Sequence, residues 1–376
     1  MSLRHPPLSL YIHIPWCVRK CPYCDFNSHE RAERPEDDYL HALLADLEGD
    51  LRDVAGRSIE TVFIGGGTPS LMSADFYRQL FHRLRERLTF APDAEITLEA
   101  NPGTLEAGRF AGFREAGINR LSIGVQSFNA DHLQVLGRIH GPQEAHAAVR
   151  EARDAGFDNI NLDLMHSLPG QSAEQALQDL QQALDLGPEH LSWYQLTIEP
   201  NTAFYRAPPT LPDDDAIADT EQAGLAFLAD HGLQRYEVSA FARPERQCRH
   251  NLNYWRFGDY LGIGAGAHGK ITRPAEDQIL RYRKTRLPEH YLADPAGARR
   301  GDEPIEDRLL EVLLNALRLV DGIDRDILLA RTGLTPAAVE ATLAPLRHSG
   351  LLVADPQRMA CTPLGLRYLN TVLQRL

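Results

Sequence analysis

A repeated alternation in the first two hundred residues constrains this chain more than any other feature. Short apolar runs of strand length occur at LSLYIHI (8–14), ETVFIGG (60–66), EITLEAN (95–101), RLSIGVQ (120–126), NINLDLM (159–165) and HLSWYQL (190–196). Between them lie stretches of helical character, roughly 36–54, 73–87, 104–116, 143–155 and 173–186. Several carry end signals, such as Ser73 before ADFYRQLFHRL and the glycines of REAGI and RDAGF. Strands separated by helices pair in parallel, because each helix must carry the chain back across the sheet. The expected fold class is therefore α/β, a mostly parallel six-stranded sheet with helices outside, open or curled toward a barrel. Such folds gather chemistry at the C-terminal ends of their strands. Here those ends carry a cysteine loop, GGGTPS, EANPG, GVQSF and, within the fifth strand, Asp163. One such feature has a ready structural explanation; five together do not.

The cysteine loop is WCVRKCPYCDF, with Cys17, Cys21 and Cys24 spaced C-x3-C-x2-C; Cys248 and Cys361 lie far away and read as packed thiols. An odd count without an N-terminal apolar run of signal-peptide length argues against a disulfide framework and for a metal or redox site. Close thiolates on a loop suit a soft metal or an iron–sulfur cluster. Zinc would need a fourth ligand, for which His13 or His29 could be nominated, and a second C-x2-C knuckle is missing. A [4Fe–4S] cluster on three thiolates instead leaves one iron open to a small chelating molecule.

The net charge of -13 argues against a primary nucleic-acid binder, and no window of the chain reaches membrane-spanning length and apolarity. Cytoplasmic residence is the expectation. Beyond residue 200, a helix near 214–231 leads to YEVSAFA, a further strand, then to the loop RHNLNYW and the glycine-rich LGIGAGAHG (261–269). The last stretch is not a P-loop, because the lysine and Ser/Thr pattern does not fit, and its residues read as a packing turn. Residues 302–376 read as three helices, a hairpin and a last helix, a winged-helix-like module. With 8 Arg and Lys against 10 Asp and Glu, this module lacks a basic recognition face and reads as a packing or partner-binding unit. The expected division is a core barrel over 1–235, an extension carrying HNLNYW over 236–300, and the C-terminal module over 301–376.

C-x3-C-x2-C just past a first strand resembles the radical S-adenosylmethionine superfamily. YIHIPWC, GGGTPS, EANPG, RLSIGVQSF, LGRIH, NLDLMHSLPGQ and HNLNYW extend the resemblance over the whole chain. Within that superfamily they resemble the group containing oxygen-independent coproporphyrinogen III oxidase and, more closely, its shorter haem-chaperone relatives. The resemblance implies an incomplete (β/α)6 barrel and a [4Fe–4S] cluster on Cys17, Cys21 and Cys24. It also implies S-adenosylmethionine on the open iron, cleaved reductively to a 5′-deoxyadenosyl radical, and an electron donor such as flavodoxin or ferredoxin. Gly66, Gly67, Thr68, Glu99, Gln126 and Asp163 match cofactor-contacting residues of the family. Arg138 matches an arginine facing the carboxylate or cluster region, and Tyr11 a tyrosine stacked near cluster and cofactor. His13, on the same strand face as Tyr11, is a further candidate for the cluster region.

Two functions from different classes follow from the resemblance. One is radical oxidative decarboxylation of coproporphyrinogen III propionates. The other is haem chaperoning, in which haem is bound and delivered to haem-accepting proteins, respiratory and membrane-associated ones among them. The oxidase pattern has a fourth cysteine where this chain has Phe26, and a longer arm before its first strand. HNLNYW matches the chaperones' haem motif, with His250 as iron ligand and Tyr254 and Trp255 as flat apolar surface. The chaperone is therefore the expected function.

Overall fold

The computed structural model describes residues 2–103 and 109–376. Six strands run parallel in chain order: β1 (Leu8–Ile14), β2 (Ile59–Gly66), β3 (Phe90–Ala100), β4 (Arg120–Gln126), β5 (Ile160–His166) and β6 (His190–Gln195). Helices α1 (Glu36–Asp50), α2 (Ala74–Arg85), α3 (Phe110–Glu115), α4 (Pro142–Asp154) and α5 (Ala173–Asp185) fill the connections. Both faces of the sheet are covered, so the strands bury nearly every residue; β4 is buried throughout. The expected end signals do their work: the Ser73 side chain accepts from the Phe76 N–H, and Gly117 and Gly156 follow α3 and α4 with positive φ. The first part of the helix expected over 104–116 lies outside the described residues.

The sheet does not stop at six strands. A hairpin, β7 (Gln234–Glu237) and β8 (Ala240–Ala242), extends it beyond β6, and α6 (Asp214–Asp230) leads into it. On the other edge β9 (Asp259–Ile263) pairs in parallel with β1. It is followed by antiparallel β10 (His268–Arg273), β11 (Gln278–Lys284) and β12 (Arg299–Pro304). The twelve-stranded order is β12-β11-β10-β9-β1-β2-β3-β4-β5-β6-β8-β7. Its two edges are different strands, β12 and β7, so the sheet is open and does not close into a full barrel. The expected boundary at 235 falls inside β7, and the one at 301 inside β12.

HNLNYW is not a loop; it forms α7 (Arg249–Trp255). The C-terminal module contains α8 (Arg308–Ala316), α9 (Arg325–Thr332) and α10 (Pro336–His348). Ile323–Asp324 pairs with Arg358–Met359, Leu352 bridges Cys361, and two short helices close the chain, which gives the winged outline. Two principal apolar cores result. The larger lies between the sheet and its outer helices. The second joins Val312, Leu313, Leu328 and Leu343 of the module to Tyr236, Phe257 and Ile279 of the sheet extension.

Candidate functional site

After β1 the chain turns into the cysteine loop, whose base is clamped by parallel pairing of Trp16–Cys17 with His29–Glu30. Lys20 staples the loop from within: its Nζ donates to the carbonyls of Phe26 (3.0 Å) and Ser28 (3.3 Å). Cys17 is buried, Cys21 and Cys24 are half-buried, and none forms a disulfide. All three line one cavity of about 390 Å³. Gly66, Gly67, Thr68, Glu99, Gln126, Arg138 and Asp163 line the same cavity, so residues spread over nearly 150 positions of sequence meet at the strand ends.

The GGGTPS turn comes into this arrangement by close backbone approach. Gly67 N–H donates to the Ile14 carbonyl and Thr68 N–H to the Trp16 carbonyl, both at 2.7 Å. A Cβ on Gly67 would stand 2.4 Å from the Trp16 oxygen. Gly66 has φ +118, which only glycine adopts readily, and a Cβ there would strike the His13 ring at 2.6 Å. The turn thus locks under the cysteine loop and points the Gly66 N–H at Glu99 Oε2, 3.1 Å away.

Burial and the nearby Asp163 push the Glu99 carboxyl up to about 8, against the opposing Gly66 hydrogen bond. Asp163 is also raised by burial, although Asn161, Ser192 and Ser122 donate to it; the Asn161 and Ser122 contacts are 2.8 and 3.0 Å. Arg138 supplies the opposite charge. Its guanidinium contacts Cys21 Sγ at 3.6 Å, Asn101 Oδ1 at 2.7 Å and the Gly124 carbonyl at 2.7 Å. Its Nε is buried without a partner among the described residues. Gln126 sits at φ +70, a strained bend at the end of β4, and accepts from the Tyr194 hydroxyl at 2.8 Å. Two carboxyls and one arginine lining a single cavity suit a ligand that carries both an ammonium and a carboxylate group.

Burial pushes the Cys17 thiol up to about 11 and raises Cys24 as well. A bound metal centre would favour their thiolate form. Among the described residues no three His, Cys, Asp or Glu side chains converge tightly enough to share one ion. His13 bonds the Asn27 carbonyl (2.9 Å) and the Tyr11 hydroxyl (3.0 Å), and His29 bonds Asn27 Oδ1 (3.3 Å). The three thiols fit a cluster in which each binds its own iron, and Arg138, with its unpartnered Nε, fits an anionic group beside it.

A second cavity, of about 910 Å³, adjoins the first and shares Phe26, Gly66 and Glu99 with it. Tyr11 lines this larger space, as do His13, Tyr254 and Trp255. Phe26, 61% exposed, stands where the two meet. His250 does not line either cavity. It is fully buried on the inner side of α7, with Nδ1 bonded to Thr61 Oγ1 and Nε2 to the Tyr254 hydroxyl, both at 2.8 Å. Burial lowers its pKa to about 3, so the ring is neutral, and both nitrogens are occupied. Binding iron through His250 requires one of these bonds to be given up.

Sequence reasoning missed Asn101, which joins Arg138 to Thr68 Oγ1 (3.1 Å), although EANPG had marked its neighbourhood. It also missed the polar face of the sheet extension. There His268 and Lys270 on β10 lie opposite Arg283 and Arg281 on β11. The signal was the alternation in HGKITR and RYRK.

Residues 11–183 match the Radical SAM superfamily, and residues 304–368 match the HemN C-terminal domain. The chain is 52% identical to the heme chaperone HemW of Escherichia coli over 98% of both chains, and 49% identical to that of Haemophilus influenzae over 98% of this chain and 97% of the relative. The chain belongs to the HemW family of radical SAM proteins. A solved structure, the E. coli coproporphyrinogen III oxidase HemN, matches with a TM-score of 0.82 and 26% identity over 99% of this chain and 90% of the oxidase. HemW-family membership and the HemN likeness agree with the barrel and with the C-terminal module. Among the described residues no helix is long and apolar enough to cross a membrane.

Proposed function

We propose that this protein is a haem chaperone: it binds haem, retains a radical SAM cofactor site, and passes haem to recipient proteins. The observation that carries this reading is the near-complete match to HemW proteins, supported by a large aromatic-walled cavity beside the cysteine cavity. Cys17, Cys21 and Cys24 would hold a [4Fe–4S] cluster. Glu99 and Asp163 would take the cationic part of S-adenosylmethionine, Arg138 its carboxylate side, and Gly66, Gly67, Thr68 and Gln126 would frame it. When bound, the cluster supplies one-electron reduction. The residues of this chain bind and orient the cofactor, hold Glu99 near its ionisation point, and wall the cluster loop from solvent. Flavodoxin or ferredoxin is the class of electron donor that fits, and respiratory haem proteins are the class of recipient.

Porphyrinogen oxidation is the second reading, favoured by the fold-level match to HemN. Phe26, at the junction of the two cavities where the oxidase pattern has a cysteine, weighs against it. Anaerobic reconstitution separates the two. About four iron and four sulfide per chain are expected, with haem bound and then yielded to an apo-acceptor. Release of CO2 and formation of protoporphyrinogen from coproporphyrinogen III would overturn the chaperone reading.

A further inference from the structure

The larger cavity has a floor that the cofactor site does not use. β10 and β11 pair so that His268 faces Arg283 and Lys270 faces Arg281, all on the cavity side of the extension. Lys270 is neutralised by Asp259 at 2.8 Å and Arg281 by Glu311. Arg283 and Arg286 are exposed and form no ion pair among the described residues. Among the described residues the acids that line this cavity are Asp25 and Glu99, and neither pairs with these arginines. Two unpaired guanidinium groups beside a histidine repel one another unless an anionic ligand joins them. The His268 imidazole is exposed and has no hydrogen-bond partner among the described residues, the reverse of His250 with its two bonds. The wall is aromatic: Tyr254 and Tyr260 stack edge to face at 4.6 Å, and Trp255 lies alongside. The volume is at the upper end for ligand pockets. Haem has a flat apolar macrocycle, an iron that accepts imidazole, and two propionates.

We propose that haem lies in this cavity with His268 as its axial imidazole and with Arg283 and Arg286 pairing its propionates. His250 then serves as a positioning residue that seats Tyr254 against the macrocycle. The assignment rests on the chaperone reading, and its test separates the two. Anaerobic haem titration of the wild type is compared with His268→Ala, His250→Ala and Arg283→Glu/Arg286→Glu, each with iron and sulfide content as a control of folding. The expected result for His268→Ala is a Soret band shifted toward that of free haem and affinity about tenfold weaker or more. Added imidazole should restore the wild-type spectrum. The double arginine variant should weaken haem binding while leaving the binding of haem dimethyl ester, which has no free propionates, unchanged. A wild-type protein that binds no haem fails the chaperone reading itself. Haem binding with an unchanged spectrum and affinity in His268→Ala, or equal wild-type affinity for haem and its dimethyl ester, overturns this assignment alone.

Discussion

Glu99 shows how one side chain can be recognised from sequence while its chemistry is not. A carboxylate ending an apolar strand needs a partner, and position alone marks it as a candidate. Its elevated pKa comes from burial and from Asp163 on β5, a neighbour that only the folded sheet supplies. The sign follows from linkage: with a folded pKa of about 8 against 4.5 for the ordinary group, the stabilising contribution is fully present below about 4.5. It is then lost as pH rises through 8. Glu99→Gln removes that dependence. In urea unfolding of the cluster-free protein, the variant should therefore gain on the wild type between about pH 6 and pH 8.5, by on the order of 2 kcal/mol. A constant gap across that range would mean that Glu99 is already ionised in the fold.

At the scale of elements, the strand extension β9–β11 is held by buried charge as well as by its ladder. Asp259 is fully buried and receives Lys270 Nζ (2.8 Å), Arg57 Nη1 (2.7 Å), and the Thr272 N–H (2.9 Å) and hydroxyl (2.8 Å). Removing one partner of such a set leaves charge without full compensation. Lys270→Met should cost about 3 kcal/mol in chemical denaturation. Because Lys270 also lines the large cavity, haem binding should weaken with it while iron and sulfide content holds. Loss of the cluster along with haem would show that the extension and the cysteine loop unfold as one unit. Asn27 gives that outcome a physical route, since its Nδ2 donates to Ala265 and Arg286 across the two. α7 teaches the complementary lesson. HNLNYW looked like loop because six residues carry little helical period, yet packing of His250 against Phe63 (5.2 Å) and bonding to Thr61 settle it as a helix.

For the whole molecule, the C-terminal module is not an appendage. Its core is continuous with Tyr236, Phe257 and Ile279. Arg318 reaches out of it to stack on Trp255 (4.6 Å) and to bond Glu237. A chain ending at residue 305 would expose the sheet-side half of that core, including Phe257 and Ile279. Such a truncation should bind the dye ANS strongly and fail to retain iron and sulfide. A soluble truncated barrel with a full cluster would make the module a separable partner-binding unit instead.

The six-strand alternation, the cysteine spacing and the glycine turn were legible because each depends on local periodicity or on a ligand's coordination chemistry. β1 and β4 occupy the spans read from sequence, and Cys17, Cys21 and Cys24 line the same cavity as the cofactor candidates. The extension that turns a six-stranded sheet into a twelve-stranded one was not legible. Its pairing of β9 with β1 joins residues some 250 positions apart, and no local pattern records a partner that distant. The same is true of the two histidines. Sequence makes His250 the conspicuous one and leaves His268 inside a glycine-rich strand. Only the tertiary structure decides which imidazole is sealed behind Thr61 and Tyr254 and which stands open opposite Arg283, because burial and hydrogen bonding are properties of neighbours and not of motifs.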